Sequence, residues 1–373
     1  MPVLLAALSN ESIGWTIFIV LTLGLIAYAV VNVVRSGKAE VGSELEVAAN
    51  RKPYYSDEEL EGPKLDRTLT VALLMLLVVA VGLPFYWLME PGRQSNAKTD
   101  FDDRFVAAGA KMFAPTADGG FNCAGCHGAK GVGASTDYNL TLPDGTIKVV
   151  SWKAPALNTV LLRYSRDEVL FILTYGRPFS PMPAWGVTGG GPLNDQQLQN
   201  LIDYLESIQL SPDQAQQAAR DNLAEVMTKT GADGRPIYRS EGEALFNLGL
   251  TDGFAGGAYS CGRCHTQAWS YASSVKEIAG HSGCGALGPS LCGGSVTAQF
   301  PLEQDHLDFV SAGSELGKKY GVHGQGSGKM PGFGQRTAEP ALFWINKGKE
   351  REPGPGMLPD DLIQKIVRYE RGL

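Results

Sequence analysis

Two stretches of the 373-residue chain are apolar on every side. Ile13 to Val34 is nearly uninterrupted, and its ~22 residues reach ~33 Å as a helix, enough for a hydrocarbon core. Leu69 to Met89 is a second such run, with Pro84 near its outer end. Neither has a polar face, so a buried core helix is the poorer reading. Trp15, Tyr28, Tyr86 and Trp87 stand near the ends, where interfacial anchors sit. The first run lacks the basic flank of a cleavable leader, since Met1 to Ser12 holds no Lys or Arg. Arg35 and Lys38 follow the first run, and Lys64 and Arg67 precede the second. The positive-inside rule therefore puts the loop 35–67 in the cytoplasm. Both termini, and everything after Arg93, then lie on the extracytoplasmic side of a bacterial cytoplasmic membrane. The loop is acidic (Glu40, Glu44, Glu46, Asp57 to Glu59) and reads as a solvated connector.

Past Arg93 the pattern changes to half-apolar helices in an order that occurs twice. Asp100 to Phe113 predicts a helix with Phe105, Val106, Gly109 and Phe113 on one face. Ser165 to Tyr175 predicts another, and Asn194 to Ile208 an amphipathic one capped by Asn194. The second series is Ser240 to Phe246, Leu307 to Gly313 and onward, and Pro359 to Arg371, with Leu362, Ile366 and Tyr369 aligned. Gly242 and Phe246 repeat the spacing of Gly109 and Phe113. Ser211 to Arg239 lies between. It opens as a Gln- and Ala-rich helix and closes on the turn signal Gly231 to Pro236. The expected divisions are a hairpin of spans at 1–92, a first domain at 93–210, a linker at 211–239 and a second domain at 240–373.

Composition adds three constraints. The 46 glycines imply much turn and loop. A formal net charge of −7 argues against a nucleic-acid partner. Of six cysteines, four fall in Cys123-Ala-Gly-Cys126-His127 and Cys261-Gly-Arg-Cys264-His265. Cys284 and Cys292 remain, an even, close pair in a Gly-rich loop that reads as a disulfide, with free thiols or a metal pair as the alternative. Disulfides persist outside the reducing cytosol, in keeping with the inferred sidedness.

The Cys-x-x-Cys-His motifs carry the chemistry. Two cysteines three apart reach the two vinyl groups of one porphyrin, and the following histidine meets the iron from below. The expectation is two covalently bound heme c groups, with His127 and His265 as iron ligands. A neutral thioether as sixth ligand favours reduced iron. Met182 and Met330 each follow a motif and precede a proline in a Gly/Pro-rich loop, and are the candidates. A carbonyl near Pro155 or Pro289 would accept the Nδ1 proton of the proximal histidine and fix its tautomer. A simple turn proline is the competing explanation for each. Arg177 and Trp185 are weaker candidates for contact with propionates. His281, His306 and His323 read as surface or loop histidines.

These residues resemble class I cytochrome c over about 100–210 and again over 238–373. The likeness rests on the glycine-phenylalanine helix, the heme motif, the proline loop, the methionine-proline pair and a closing helix with an aromatic (Tyr204, Tyr369). It implies an all-α fold, with the first and last helices crossing at the glycine and aromatic positions. Two such domains behind membrane spans resemble the diheme cytochrome c subunit of actinobacterial-type cytochrome bc complexes, or the diheme subunit of cbb-type oxidases. The implied function is electron relay from a quinol-oxidising bc-type complex to a terminal oxidase, with no substrate transformed on this chain. The implied partners are cytochrome b and Rieske subunits, a heme-copper oxidase, or a soluble cytochrome or copper protein. A terminal-oxidase subunit fed by a soluble donor is the alternative. A diheme peroxidase is the rival enzyme, and it needs an open iron position and a nearby acid–base group. A scaffold whose hemes matter little is the third reading.

Overall fold

A computed structural model describes residues 61–178, 180–250, 260–315, 317–324, 330–336 and 352–373, with scattered positions between 16 and 58. The chain divides into two compact units, Met1–Arg93 and Gln94–Leu373. The expected first span at 13–34 and the connector 35–67 lie mostly outside the described residues, as do Trp15, Arg35 and Lys38.

The second apolar run lies in α1, Pro63–Phe113. Among the described residues this is the one helix long and apolar enough to cross a membrane. It differs from expectation at both ends. Lys64 and Arg67 sit in its first turns rather than in a connector, and neither Pro84 nor Pro91 breaks it. Each proline frees a carbonyl one turn earlier, and spanning helices accommodate this where neighbouring groups or local helix adjustments re-satisfy that carbonyl. Leu73, Leu76, Trp87 and Leu88 are exposed, as a lipid-facing surface requires.

The second unit is mostly helical. The first half contains α2 (Cys123–His127), strands β1 (Ala134–Thr141) and β2 (Ile147–Ala154), α3 (Arg166–Tyr175) and α4 (Asp195–Ser207). α3 and α4 start where the sequence places them, each with a reciprocal capping box, Ser165 with Glu168 and Asn194 with Gln197. The antiparallel pair β1–β2, in register Ala134↔Ala154 to Thr141↔Ile147, departs from an all-α expectation. Its turn is Asp144-Gly145, with Gly145 at φ 84°.

The second half contains α5 (Pro212–Met227), α6 (Glu241–Phe246), α7 (Gly262–His265), α8 (Glu303–Ala312) and α9 (Asp360–Glu370). α5 falls in the expected linker, yet Ala215, Ala219, Leu223 and Val226 are buried in one core with Phe246, Leu362, Ile363 and Ile366. Its apolar positions, spaced by three and four, give it a face to bury. His306, expected at the surface, is buried on α8 and its Nε2 meets Glu370 Oε2 at 3.1 Å. Its ring stacks on Phe300, 5.3 Å between centroids.

The two halves share one helix crossing. A Cβ on Gly109 would lie 2.7 Å from Tyr204 Cβ, and one on Gly242 would lie 2.8 Å from Tyr369 Cβ. Only glycine permits that approach. One turn on, Phe113 packs on Tyr204 at 5.2 Å and Phe246 on Tyr369 at 5.3 Å, both tilted. Buried Arg166 ties α3 to α4 through Asp203 at 2.7 Å and through Glu206.

Candidate functional site

α2 holds its cysteines three residues apart, so both thiols leave one helical face, and His127 follows at the last helical position. The His127 ring Nδ1 lies 2.8 Å from the Pro155 carbonyl. A carbonyl only accepts, so Nδ1 carries the proton and the Nε2 lone pair is left for a metal. Burial lowers the His127 pKa, and nearby Arg263 lowers it further against the opposing carbonyl bond; the neutral ring is the ligating form. Burial also pushes the Cys123 thiol up to about 11.

The second motif repeats the arrangement. α7 carries Cys264 and His265, with Cys261 at its N-cap. His265 Nδ1 lies 2.8 Å from the Pro289 carbonyl. Burial raises the Cys261 thiol well above its ordinary value.

Each half presents its acceptor carbonyl by a different device. In the first, β2 runs straight into Pro155, and the Gly131 carbonyl accepts from the amides of Leu157 and Asn158 at 2.7 and 3.1 Å. In the second, a stapled loop replaces the hairpin. Cys284 and Cys292 form a disulfide enclosing Pro289. Gly285 N donates to His265 O at 2.8 Å, and Gly288 N to Cys264 O at 2.7 Å. A Cβ on Gly288 would stand 2.6 Å from His265 Cε1, so the loop lies directly on the ring.

The methionine loops also match, in a pattern the sequence reading missed. α3 ends at Gly176 (φ 71°, ψ −165°) and α8 at Gly313 (φ 79°, ψ −173°). The residue after each glycine donates its N–H to the methionine carbonyl: Arg177 to Met182 at 3.0 Å, Ser314 to Met330 at 2.9 Å. Three residues past each methionine the chain returns to its helix. Trp185 N donates to Leu173 O at 2.9 Å, and Phe333 N to Val310 O at 3.1 Å. Both glycines have left-handed φ, where a side chain would be strained. Met182 and Met330 are half-buried against the cores of their respective halves. The signal available was a glycine six residues before Met182, but the corresponding interval before Met330 is longer, which hid the repeat.

Arg177 lies over the Tyr164 ring at 5.7 Å, and Trp185 packs edge-on against Phe121 at 5.8 Å. His281 is half-buried, with Nε2 at 3.2 Å from Gln267 O. His323 is exposed, and its backbone N–H reaches Gln299 Oε1 at 3.1 Å.

The halves meet beside both motifs. Trp152 of β2 packs on Tyr271 at 5.6 Å, and Lys153 Nζ donates to Ala272 O at 2.5 Å. Arg263, inside the second motif, stacks on Trp269 at 4.8 Å and donates from a terminal nitrogen to Lys153 O at 2.6 Å. Burial lowers Arg263 to about 10, which leaves it cationic at neutral pH.

Two thiols on one helical face and a neutral imidazole with its Nδ1 proton already engaged suit covalent heme c. Bound there, heme supplies a one-electron iron couple. The protein holds the ligand tautomer through the Pro155 and Pro289 carbonyls and sets the local charge through Arg263. Residues 106–205 match the family model described as cytochrome C oxidase, cbb3-type, subunit III. No curated protein matches the chain, and no solved structure does. The first heme motif, its acceptor carbonyl and the Gly109–Tyr204 crossing all fall inside that match, which supports a membrane-associated class I cytochrome c with its cytochrome c domain over residues 106–205.

Proposed function

We propose that the chain is a diheme c-type cytochrome subunit that relays electrons from a quinol-oxidising cytochrome bc-type complex to a terminal oxidase. The observation that carries it is the duplicated proximal site, His127 on the Pro155 carbonyl and His265 on the Pro289 carbonyl, both at 2.8 Å. The matching glycine crossings and methionine loops support a second cytochrome c domain at 240–373 and the ligand pairs His127 with Met182 and His265 with Met330. Two spans with the heme domains outside the cytoplasm suit the acceptor side of such a complex, and the disulfide agrees with that compartment. With a methionine on each iron, the protein would carry electrons and leave substrates alone.

A second reading, a diheme subunit of a terminal oxidase fed by a soluble cytochrome or copper protein, is favoured by the match to the cbb3-type model. Purification of the full chain from its native membranes in mild detergent separates the two. A bc-type relay brings down a b-heme protein and a Rieske protein together. A copper–heme oxidase without either supports the second reading and overturns the first.

A further inference from the structure

The second heme motif reaches into the first site. Arg263 stands between Cys261 and Cys264, yet its hydrogen bond goes to the carbonyl of Lys153 at 2.6 Å. Lys153 lies two residues before Pro155, whose carbonyl takes the His127 proton. The same strand segment is gripped from the other side, by Lys153 Nζ on Ala272 O at 2.5 Å and by Trp152 on Tyr271. The guanidinium carbon also lies over the Trp269 ring, 4.8 Å from its centroid. This cation is therefore held between the second attachment helix and the strand that leads into Pro155, and cannot swing as a surface side chain would. Arg163 and Arg177 of the first half lie over Tyr164 at 5.4 and 5.7 Å, and Arg163 is near enough for its charge to act on Arg263.

We propose that Arg263 is a positioning residue that locks the two heme sites together and, from the second motif, raises the reduction potential of the first heme. This rests on the two-heme reading above. A fixed positive charge disfavours ferric iron relative to ferrous, because the ferric site carries one more positive charge. In a buried interface that effect is not screened as it is at a surface. The influence crosses between domains, so it makes a prediction that a purely local role for Arg263 does not.

The test uses the full-length, heme-loaded protein and resolves the two midpoints by spectroelectrochemical titration. Arg263→Gln should shift the first heme's oxidised-to-reduced balance about ten-fold toward oxidised, a fall of about 59 mV. The second heme, whose own motif carries Arg263, should shift as well. Arg263→Lys keeps the charge but loses the planar fork. It should leave both midpoints near wild type and slow electron transfer between the hemes about three-fold after flash reduction; the lysine variant serves alone if the glutamine variant does not load heme. An unmoved first midpoint in Arg263→Gln, or a shift confined to the second heme, overturns the proposal, as does an unchanged transfer rate in Arg263→Lys. A wild-type chain carrying fewer than two hemes overturns the two-heme reading itself, so the two failures are distinguishable.

Discussion

Gly288→Ala probes the second proximal site from 2.6 Å away. A methyl group at that position would meet His265 Cε1 at 2.6 Å and Nδ1 at 2.9 Å. Carbon atoms rest at about 3.5 Å or more, so the ring or the loop must give by about 0.9 Å. Overpacking of this kind costs about 1–3 kcal/mol. The Nδ1 bond to Pro289 O, now 2.8 Å, is the soft contact and gives first. That bond makes the imidazole more basic, which favours ferric iron. Weakening it by about 1 kcal/mol, if half or more of that differs between oxidation states, raises the second midpoint by about 20–40 mV. Spectroelectrochemical titration of the loaded protein reads this directly, with the first heme as internal standard. Equal shifts in both hemes, or no shift with full heme content, would refute the assignment of Pro289 as the proximal acceptor.

Further outcomes follow from the same geometry. Gly109→Ala and Gly242→Ala should each cost about 1–3 kcal/mol despite alanine's better helix propensity, because the crossing helix is in the way. Gly280→Ala, with nothing within 4 Å, should stay within about 0.5 kcal/mol of wild type when all three variants are compared by urea unfolding. Cys284→Ser with Cys292→Ser releases a loop with a sequence separation of 8 and should lose about 2.5 kcal/mol by loop entropy, moving the second midpoint and sparing the first. His306→Leu should cost about 3 kcal/mol by leaving buried Glu370 without its imidazole, and adding Glu370→Gln should recover part of that loss in thermal melts. Arg220 pairs with half-exposed Asp361 at 2.7 Å and holds that carboxyl below its ordinary value. The small stability this pair contributes is present above the ordinary carboxylate range and lost as pH falls through the lowered pKa, so Arg220→Ala should lower Tm slightly at pH 7 and leave it unchanged near pH 2.

Local chemistry made much of this legible in the sequence. Ser165 and Asn194 announce their helices because the capping partner sits three residues on, within reach of any reader of the chain. Cys284 and Cys292 are close in sequence and have no competing partner outside the heme motifs, and they pair. The hairpin carries only one local signal, the turn pair Asp144-Gly145. β1 sets half-buried Ala134, Tyr138 and Leu140 against exposed Ser135, Asp137, Asn139 and Thr141, but β2 exposes Ile147 and Val149 and puts Lys148 on the face of Val150, so the alternation is lost on the partner strand. Other features had no local signal. The partner of His306 is Glu370, far along the chain, and α8 otherwise reads as a polar helix. The burial of α5 depends on a core supplied by α6 and α9. The paired glycines Gly176 and Gly313 become visible only through the hydrogen bonds that return each methionine loop to its helix.

The central claim is that this one chain holds two hemes in duplicated sites. Intact-mass measurement of the denatured full-length chain, combined with a pyridine hemochromogen assay, tests it most directly. Two covalently attached hemes per chain are predicted, falling to one when Cys261 and Cys264 are both replaced by Ala. A wild-type chain carrying a single heme, unchanged by those substitutions, would contradict it.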